Sequence, residues 1–323
     1  MEASPVTLAD LYAARARVAA HILRTPLTHS FLLSEQIECE IWLKQENRQH
    51  TGSFKPRGAL NKIASLDDEE RSGGIVAASA GNHALGVAHA CRALDIDRAD
   101  VFVQASASPA KIAKLREYPV QLHLVGDTFD EAQQAALAYA RETGGTFVSA
   151  YDDPAVLAGQ GTCGLEIVDD LSDLDAVIVP VGGGALIGGI ALAVKAMRPA
   201  ARVVGVNPSA SPSALLSFQR GAAIDPYNHE PTLAHGLAGG FGKIPFSVAR
   251  HLVDEIVLVS EEEMKQAIIA LIDSDQILAE ASGAAGVAAA LHRKTRLSGR
   301  VVVVISGGNI ESGTLRSILT EKP

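Results

Sequence analysis

Lys55 follows the turn Thr51-Gly52-Ser53-Phe54 and is followed by Pro56-Arg57-Gly58-Ala59. Ser53 is a candidate helix N-cap, and proline is tolerated in a first helical turn, so Lys55 is expected at a helix start. There the positive end of the helix dipole disfavours a protonated amine. With apolar neighbours, such a lysine can lose its proton and act as an imine-forming nucleophile. Taken alone, the segment reads more simply as a surface lysine.

Three further turns end on glycine or small polar residues. Ser79-Ala80-Gly81-Asn82-His83 follows the apolar run Ile75–Ala78. Small residues there let backbone N–H groups face an anion at a helix start, and Asn82 can bond a phenolate-like oxygen or a carboxylate. Taken alone, this turn reads more simply as an ordinary Asn/Gly helix cap. Pro180-Val181-Gly182-Gly183-Gly184-Ala185-Leu186 separates a strong strand from an apolar helix. Three adjacent glycines suit a backbone cradle for a phosphate, and close packing accounts for one of them more easily than for three. The segment is not a dinucleotide fingerprint, because Ile187 stands where the third glycine of G-x-G-x-x-G would fall, and no P-loop Gly-Lys-Ser/Thr is present. Ser306-Gly307-Gly308-Asn309 follows Val301–Ile305 and offers one neutral hydroxyl at a strand end. Together these turns supply a Schiff-base lysine, a phosphate cradle, an anion turn and a hydroxyl. Pyridoxal phosphate needs one partner each for its aldehyde, phosphate, 3′ oxygen and ring nitrogen, and the set matches those needs.

The elements that must hold these turns follow an alternating pattern. Candidate strands are Ile41–Leu43, Ile75–Ala78, Val101–Val103, Val120–Val125, Ala176–Val181, Arg202–Val206, Glu255–Val259 and Val301–Ile305. Helical patterns lie between and around them, at Phe54–Leu66, Asn82–Leu94, Pro109–Glu117, Phe129–Glu142, Val156–Leu171, Leu186–Met197, Glu261–Ser274 and Gly283–Leu291. Alternation of this kind with apolar strands predicts an α/β protein of parallel sheets flanked by helices, whose ligands bind where strand C-termini meet helix N-termini. The stretch from Gly221 to Pro245 is rich in Gly, Pro and His and is expected to be a long loop, whether functional, a connector or disordered.

Composition narrows the field. With 323 residues the chain is long enough for about two domains, and 47% apolar with 20% charged residues excludes a disordered chain. A net charge of −9 without Lys/Arg clusters excludes a nucleic-acid footprint. The acidic groups Asp67–Glu70 and Glu261–Glu263 read as solvated helix starts. Three dispersed cysteines, Cys39, Cys91 and Cys163, form neither a disulfide framework nor a zinc site, and no metal-ligand spacing is present. Cys163 reads as a buried thiol, and His89, His123, His251 and His292 as packed or surface histidines. The N-terminus lacks a signal-peptide pattern and no apolar run spans a membrane, so a cytoplasmic protein without membrane partners is expected.

The same residues resemble fold type II (tryptophan synthase β-like) pyridoxal-phosphate enzymes, and among them the catabolic threonine/serine dehydratases (ammonia-lyases), with serine racemases as kin. The resemblance runs through Glu46-Asn47, Thr51–Lys55, Ser79–His83, Gly126–Ala132, Tyr151–Pro154, Ala158–Thr162, Pro180–Gly184 and Ser306–Ile310. It implies that Lys55 carries the cofactor, that Phe54 packs beside its ring and that Asn82 bonds its 3′ oxygen. Gly182, Gly183, Gly184, Ala185 and Leu186 would hold the phosphate, and Ser306 would sit by the pyridine nitrogen. The turn Ser79, Ala80, Gly81, Asn82 and His83 would take the substrate carboxylate. It further implies a large domain of residues 1–73 and 149–323, a smaller inserted domain of 74–148, no C-terminal regulatory domain, and a homodimer or homotetramer.

Three positions depart from the family pattern. Ala80 stands where racemases carry a second, proton-donating serine, which favours elimination over isomerisation. Asn207, followed by Ser211 and Ser213, replaces a carboxylate that helps bind a divalent cation, so no metal is implied. The family's Ala-Asp-Gly reads Ala234-His235-Gly236, which makes His235 a candidate substrate contact. The expected reaction removes the β-hydroxyl of L-threonine and/or L-serine to give a 2-oxo acid and ammonia. Dehydration of 3-hydroxyaspartate or phenylserine, serine racemisation, and a non-catalytic binding protein are the alternatives, and Lys55 argues against the last.

Overall fold

The computed structural model describes residues 4–321. Its strands are β1 (Leu27–His29), β2 (Glu40–Gln45), β3 (Ile75–Ala78), β4 (Ala99–Val103), β5 (Gln121–Leu124) and β6 (Thr146–Phe147). They continue as β7 (Ala176–Pro180), β8 (Arg202–Pro208), β9 (Glu255–Val259) and β10 (Arg300–Ile305). Two sheets result: a six-stranded one in the order β1-β2-β10-β7-β8-β9, and a four-stranded one in the order β5-β4-β3-β6.

The larger sheet is built around β10, whose side chains Val301 to Ile305 are each 0% exposed. A parallel strand covered on both faces by helices has no polar side to show, so an unbroken β-branched run is what such a position selects. Each of these side chains contributes roughly 1.5–3 kcal/mol by leaving water. One face is covered by the Ala-rich helix Ala281–Leu291 and by Glu261–Asp275. The other face carries the helix Ala185–Met197. A second apolar cluster joins Leu8–Val18, Lys55–Ala64, Asn82–Ala93 and Pro154–Asp170 and reaches Ile75 and Ala77 of the smaller sheet.

The α/β architecture expected from the alternation is observed, with two qualifications. The larger sheet is not wholly parallel: β1 pairs antiparallel with β2, Leu27 opposite Lys44. At three residues β1 is too short to carry a periodic signal, and β6, with two, was missed for the same reason. The helices Leu8–Val18, Phe31–Ile37, Ser213–Arg220, Lys243–Ala249 and Ser312–Thr320 also escaped the sequence reading. The first of these has a legible start, a capping box between Thr7 and Asp10.

The long stretch from 221 is an ordered wall rather than a free loop. Glu261 accepts from Thr232 Oγ1 (2.5 Å) and Leu233 N (2.7 Å), and Phe241 N donates to Ile224 O (2.8 Å). Glu261 therefore does more than sit solvated at a helix start.

Candidate active site

Lys55 is placed by a stitch between two strand ends. Beyond β2, Phe54 N donates to Ser306 O (3.1 Å) and Gly308 N donates to Gly52 O (2.9 Å). This joins the 51–54 turn to the end of β10 and puts Lys55 at the first position of the helix Lys55–Ala64. Ser53 is not its cap. Phe54 occupies that position, and the buried Ser53 hydroxyl has no partner among the described residues. The Ser53 backbone is engaged instead in an antiparallel bridge with Gly307. Lys55 Nζ donates to Ala150 O (2.8 Å) and lies 5.2 Å from the Phe54 ring centroid. Burial lowers its pKa to about 8, in the direction expected of an imine-forming lysine.

The Ser79–His83 turn leaves β3 and starts the helix Asn82–Ala93. Gly81 N donates to Ser79 Oγ (3.0 Å). His83 is buried, and burial, reinforced by the Lys55 charge, lowers its pKa to about 3. The ring is neutral at physiological pH, and its Nε2 donates to Val148 O (2.9 Å). His83 thus offers the cavity its backbone rather than a cationic ring. Asn82 Nδ2 donates to Glu280 Oε1 (2.6 Å), and its Oδ1 accepts from Asn309 Nδ2 (2.7 Å).

The triple glycine follows β7. Gly184 has φ +95°, a conformation that strains any residue with a side chain. Contrary to the sequence expectation, close packing explains all three glycines. An added Cβ would come within 2.8 Å of Gly236 O at Gly182, 2.1 Å of the Tyr151 ring at Gly183 and 2.6 Å of the Phe241 ring at Gly184. The cradle rests instead on donors: no backbone carbonyl among the described residues accepts from the N–H of Gly182, Gly183 or Gly184. The N–H groups of Ala185 and Leu186, in the first turn of the next helix, have no intrahelical acceptor either. Ser306 is 4% exposed, and its hydroxyl donates to Ser282 O at 3.3 Å.

All these groups open onto one cavity of about 1290 Å³ between the two sheets. Phe54, Lys55, Ser79 to His83, Gly182 to Leu186, His235 and Ser306 all line it, so every site residue expected from the sequence is brought there. An imine-forming amine, an anion-binding run of free N–H groups and a neutral hydroxyl fit an aldehyde-bearing, phosphorylated pyridine. Asn207 is spent structurally, donating to Val181 O (2.6 Å) and accepting from Ala214 N (3.0 Å). Cys163 is fully buried and is not part of the cavity lining.

Matching a family model for "Pyridoxal-phosphate dependent enzyme" over residues 18–307 decides the classification. The chain belongs to the pyridoxal-phosphate-dependent enzyme family. Members of that family to which it is similar include "L-threonine ammonia-lyase" of Thermotoga maritima, 45% identical over 98% of this chain and 79% of the relative. It is 42% identical to "L-threonine dehydratase catabolic TdcB" of Escherichia coli, over 97% and 96% of the two chains. Among solved structures, maize serine racemase superimposes with a TM-score of 0.92 at 30% identity, covering 98% of this chain and 97% of that one. Pyridoxal phosphate is the cofactor of this pyridoxal-phosphate-dependent enzyme.

Two features of the site were invisible to the sequence reading. Glu280 reaches Asn82 from 198 positions away. Its signal, an acid between the apolar run Ile277–Ala279 and an Ala-rich helix, is weak but physical, because such placements are costly unless used. Asp225 accepts from Tyr151 OH (3.0 Å), bracing the ring that lies against Gly183. Burial raises both the Tyr151 and the Asp225 pKa.

Proposed function

We propose that this enzyme removes the β-hydroxyl of L-threonine and/or L-serine, releasing a 2-oxo acid and ammonia. The observation that carries the reading is Lys55, an amine near neutrality with no carboxylate among the causes of its shifted pKa, opening onto the cavity beside free backbone donors. The names of the two curated relatives support the substrate class.

When bound, the cofactor supplies an imine-forming aldehyde and an electron sink for the Cα carbanion. Lys55 Nζ is then the base that takes the Cα proton, and the ammonium so formed is an acid at hand for the departing hydroxide. The N–H groups of Gly182 to Leu186 hold the phosphate, Ser306 meets the ring nitrogen and Asn82 the 3′ oxygen. Phe54 packs beside the ring, and the Ser79–His83 turn orients the substrate carboxylate. Ser306, a neutral hydroxyl where a carboxylate could stand, would hold the ring nitrogen without fixing a proton on it, which would favour loss of the β-hydroxyl over isomerisation. Ala80 has no proton to return to the opposite face, which speaks against isomerisation. His235, exposed at the cavity wall, would meet the substrate's β-substituent.

Residues 1–73 and 149–323 form the large domain in this reading and 74–148 the inserted one. The four strands of the smaller sheet, which all lie between Ile75 and Phe147, support that division. A cytoplasmic homodimer or homotetramer completes the proposal, and light scattering on the purified protein tests the assembly. No helix among the described residues is long and apolar enough to cross a membrane.

The reaction is tested by measuring ammonia and 2-oxo-acid release from L-threonine, L-serine, 3-hydroxyaspartate and phenylserine, with chiral analysis of the serine left over. Release from L-threonine or L-serine is expected. Turnover confined to 3-hydroxyaspartate or phenylserine, or D-serine formed without ammonia, would overturn the reading.

A further inference from the structure

Asn82 lies in the middle of a polar chain along the cavity lining. Lys114 Nζ donates to Asn309 Oδ1 (2.5 Å), and Asn309 Nδ2 donates to Asn82 Oδ1 (2.7 Å) and to Thr51 O (2.8 Å). Asn82 Nδ2 then donates to Glu280 Oε1 (2.6 Å). The lysine end dictates the order of everything after it. An ammonium can only donate, so Asn309 must accept through Oδ1 and donate through Nδ2, and Asn82 must do the same, which holds each carboxamide in one of its two flipped orientations. The Asn82 NH2 group has two N–H bonds. One is taken by Glu280, and no other acceptor among the described residues takes Nδ2.

We propose that Glu280 and Asn309 are positioning residues that clamp the Asn82 carboxamide from both sides, leaving its second N–H to donate into the cavity. This rests on the reading of Asn82 as the partner of the cofactor's ring oxygen. Without the clamp the carboxamide can rotate or flip, and a flipped amide presents a carbonyl oxygen that repels an anionic ring oxygen. The local backbone makes room for the pair. A Cβ at Gly307 would come within 2.3 Å of Glu280 Oε1 and 3.3 Å of Asn82 Nδ2. Glu280 N also donates to Gly307 O (3.1 Å), pinning the acid beside Ser306. Holding a carboxyl at this depth is costly. Burial raises its pKa, and the Asn82 hydrogen bond together with the Lys111 and Lys114 charges only partly opposes that shift.

The test is titration of apoenzyme with pyridoxal phosphate, following the visible band of the bound coenzyme, for wild type, N82A, E280A, E280Q, N309A and N82A/E280A. Melting curves of the apo forms show which variants are folded. Loss of a hydrogen bond to a charged group should weaken coenzyme binding about tenfold or more in E280A. E280Q, whose amide oxygen accepts the same N–H, should stay within about threefold of wild type. The double variant should bind no more weakly than N82A alone, because both changes act through one carboxamide. The visible band of E280A should move as that of N82A does. Wild-type binding and spectrum in E280A, or a loss adding in full to that of N82A, would overturn the proposal. If N82A itself binds as wild type, the reading of Asn82 falls and the proposal falls with it. If E280A does not fold, N309A carries the comparison: a weakening absent from N309A overturns the clamp.

Discussion

Lys55 and Arg57 lie two residues apart on one helical turn, both cationic by type, and the molecule treats them in opposite ways. Arg57 is 0% exposed and saturated with partners. Its guanidinium meets Glu46 Oε2 at 2.8 Å and Glu166 Oε1 at 2.8 Å, while Lys44 Nζ reaches Glu166 Oε2 at 2.6 Å. The cluster holds two cations and two carboxylates. Burial would lower the Arg57 pKa and raise that of Glu46. Their mutual attraction outweighs it, so Arg57 stays charged and Glu46 falls below its ordinary value. Lys55 receives one carbonyl and no carboxylate, so desolvation acts on it unopposed. A saturated buried charge is inert. An unsaturated one is reactive, and the protein keeps both within one turn of helix.

Breaking the reactive half should have the largest effect. Lys55→Ala should reduce turnover by about 10³-fold or more, since Lys55 is both the imine nucleophile and the base of the proposed reaction. Ammonia release measured beside the melting curve checks this, and the loss should come without unfolding.

Breaking the inert half should instead act on stability. Arg57→Met leaves Glu46 and Glu166 buried, with Lys44 the remaining ion-pair partner among the described residues. It should cost about 3–5 kcal/mol in denaturant unfolding. Any variant that still folds should retain the visible coenzyme band.

An intermediate effect is expected at the glycine turn. Gly184→Ala forces a side chain into φ +95° against Phe241 and should cost about 1–3 kcal/mol of stability. It should also weaken coenzyme binding, as read by titration of the apoenzyme.

The smallest effect sharpens the comparison most. The Lys55 pKa is depressed from 10.5 to about 8 in the folded state, so between those values the unfolded chain binds the extra proton and stability rises with pH. The destabilisation is therefore full below pH 8 and gone above about 10.5. Lys55→Met should stabilise the apoenzyme below pH 8, by at most about 3 kcal/mol less what the lost Ala150 hydrogen bond costs, with the gain fading as pH rises. Urea unfolding at pH 7 and at pH 10 measures the difference.

The reactive half was largely legible in the sequence and the inert half was not. Lys55, Asn82, Gly182–Gly184 and Ser306 could be found because each lies next to a strand end, where the residue types that suit the chemistry interrupt an apolar run. Arg57 gave no such sign, because its meaning depends on Glu166, 109 positions away. Glu280 was missed for the same reason, its partner lying on another sheet's helix. Ser53 shows the converse error. Local cap chemistry favoured it, but its pairing with Gly307 took precedence. The glycine turn was explained too narrowly, because Tyr151 and Phe241, which crowd it, come from distant parts of the chain.

The central claim is that Lys55 is the amine that carries the coenzyme, and one measurement addresses it directly. The holoenzyme is reduced with borohydride, digested, and its peptides are weighed by mass spectrometry. The mass of the reduced coenzyme should be found on the peptide containing Lys55 and on no other. An adduct on a different lysine, or an unmodified Lys55 peptide from fully loaded enzyme, would contradict the account.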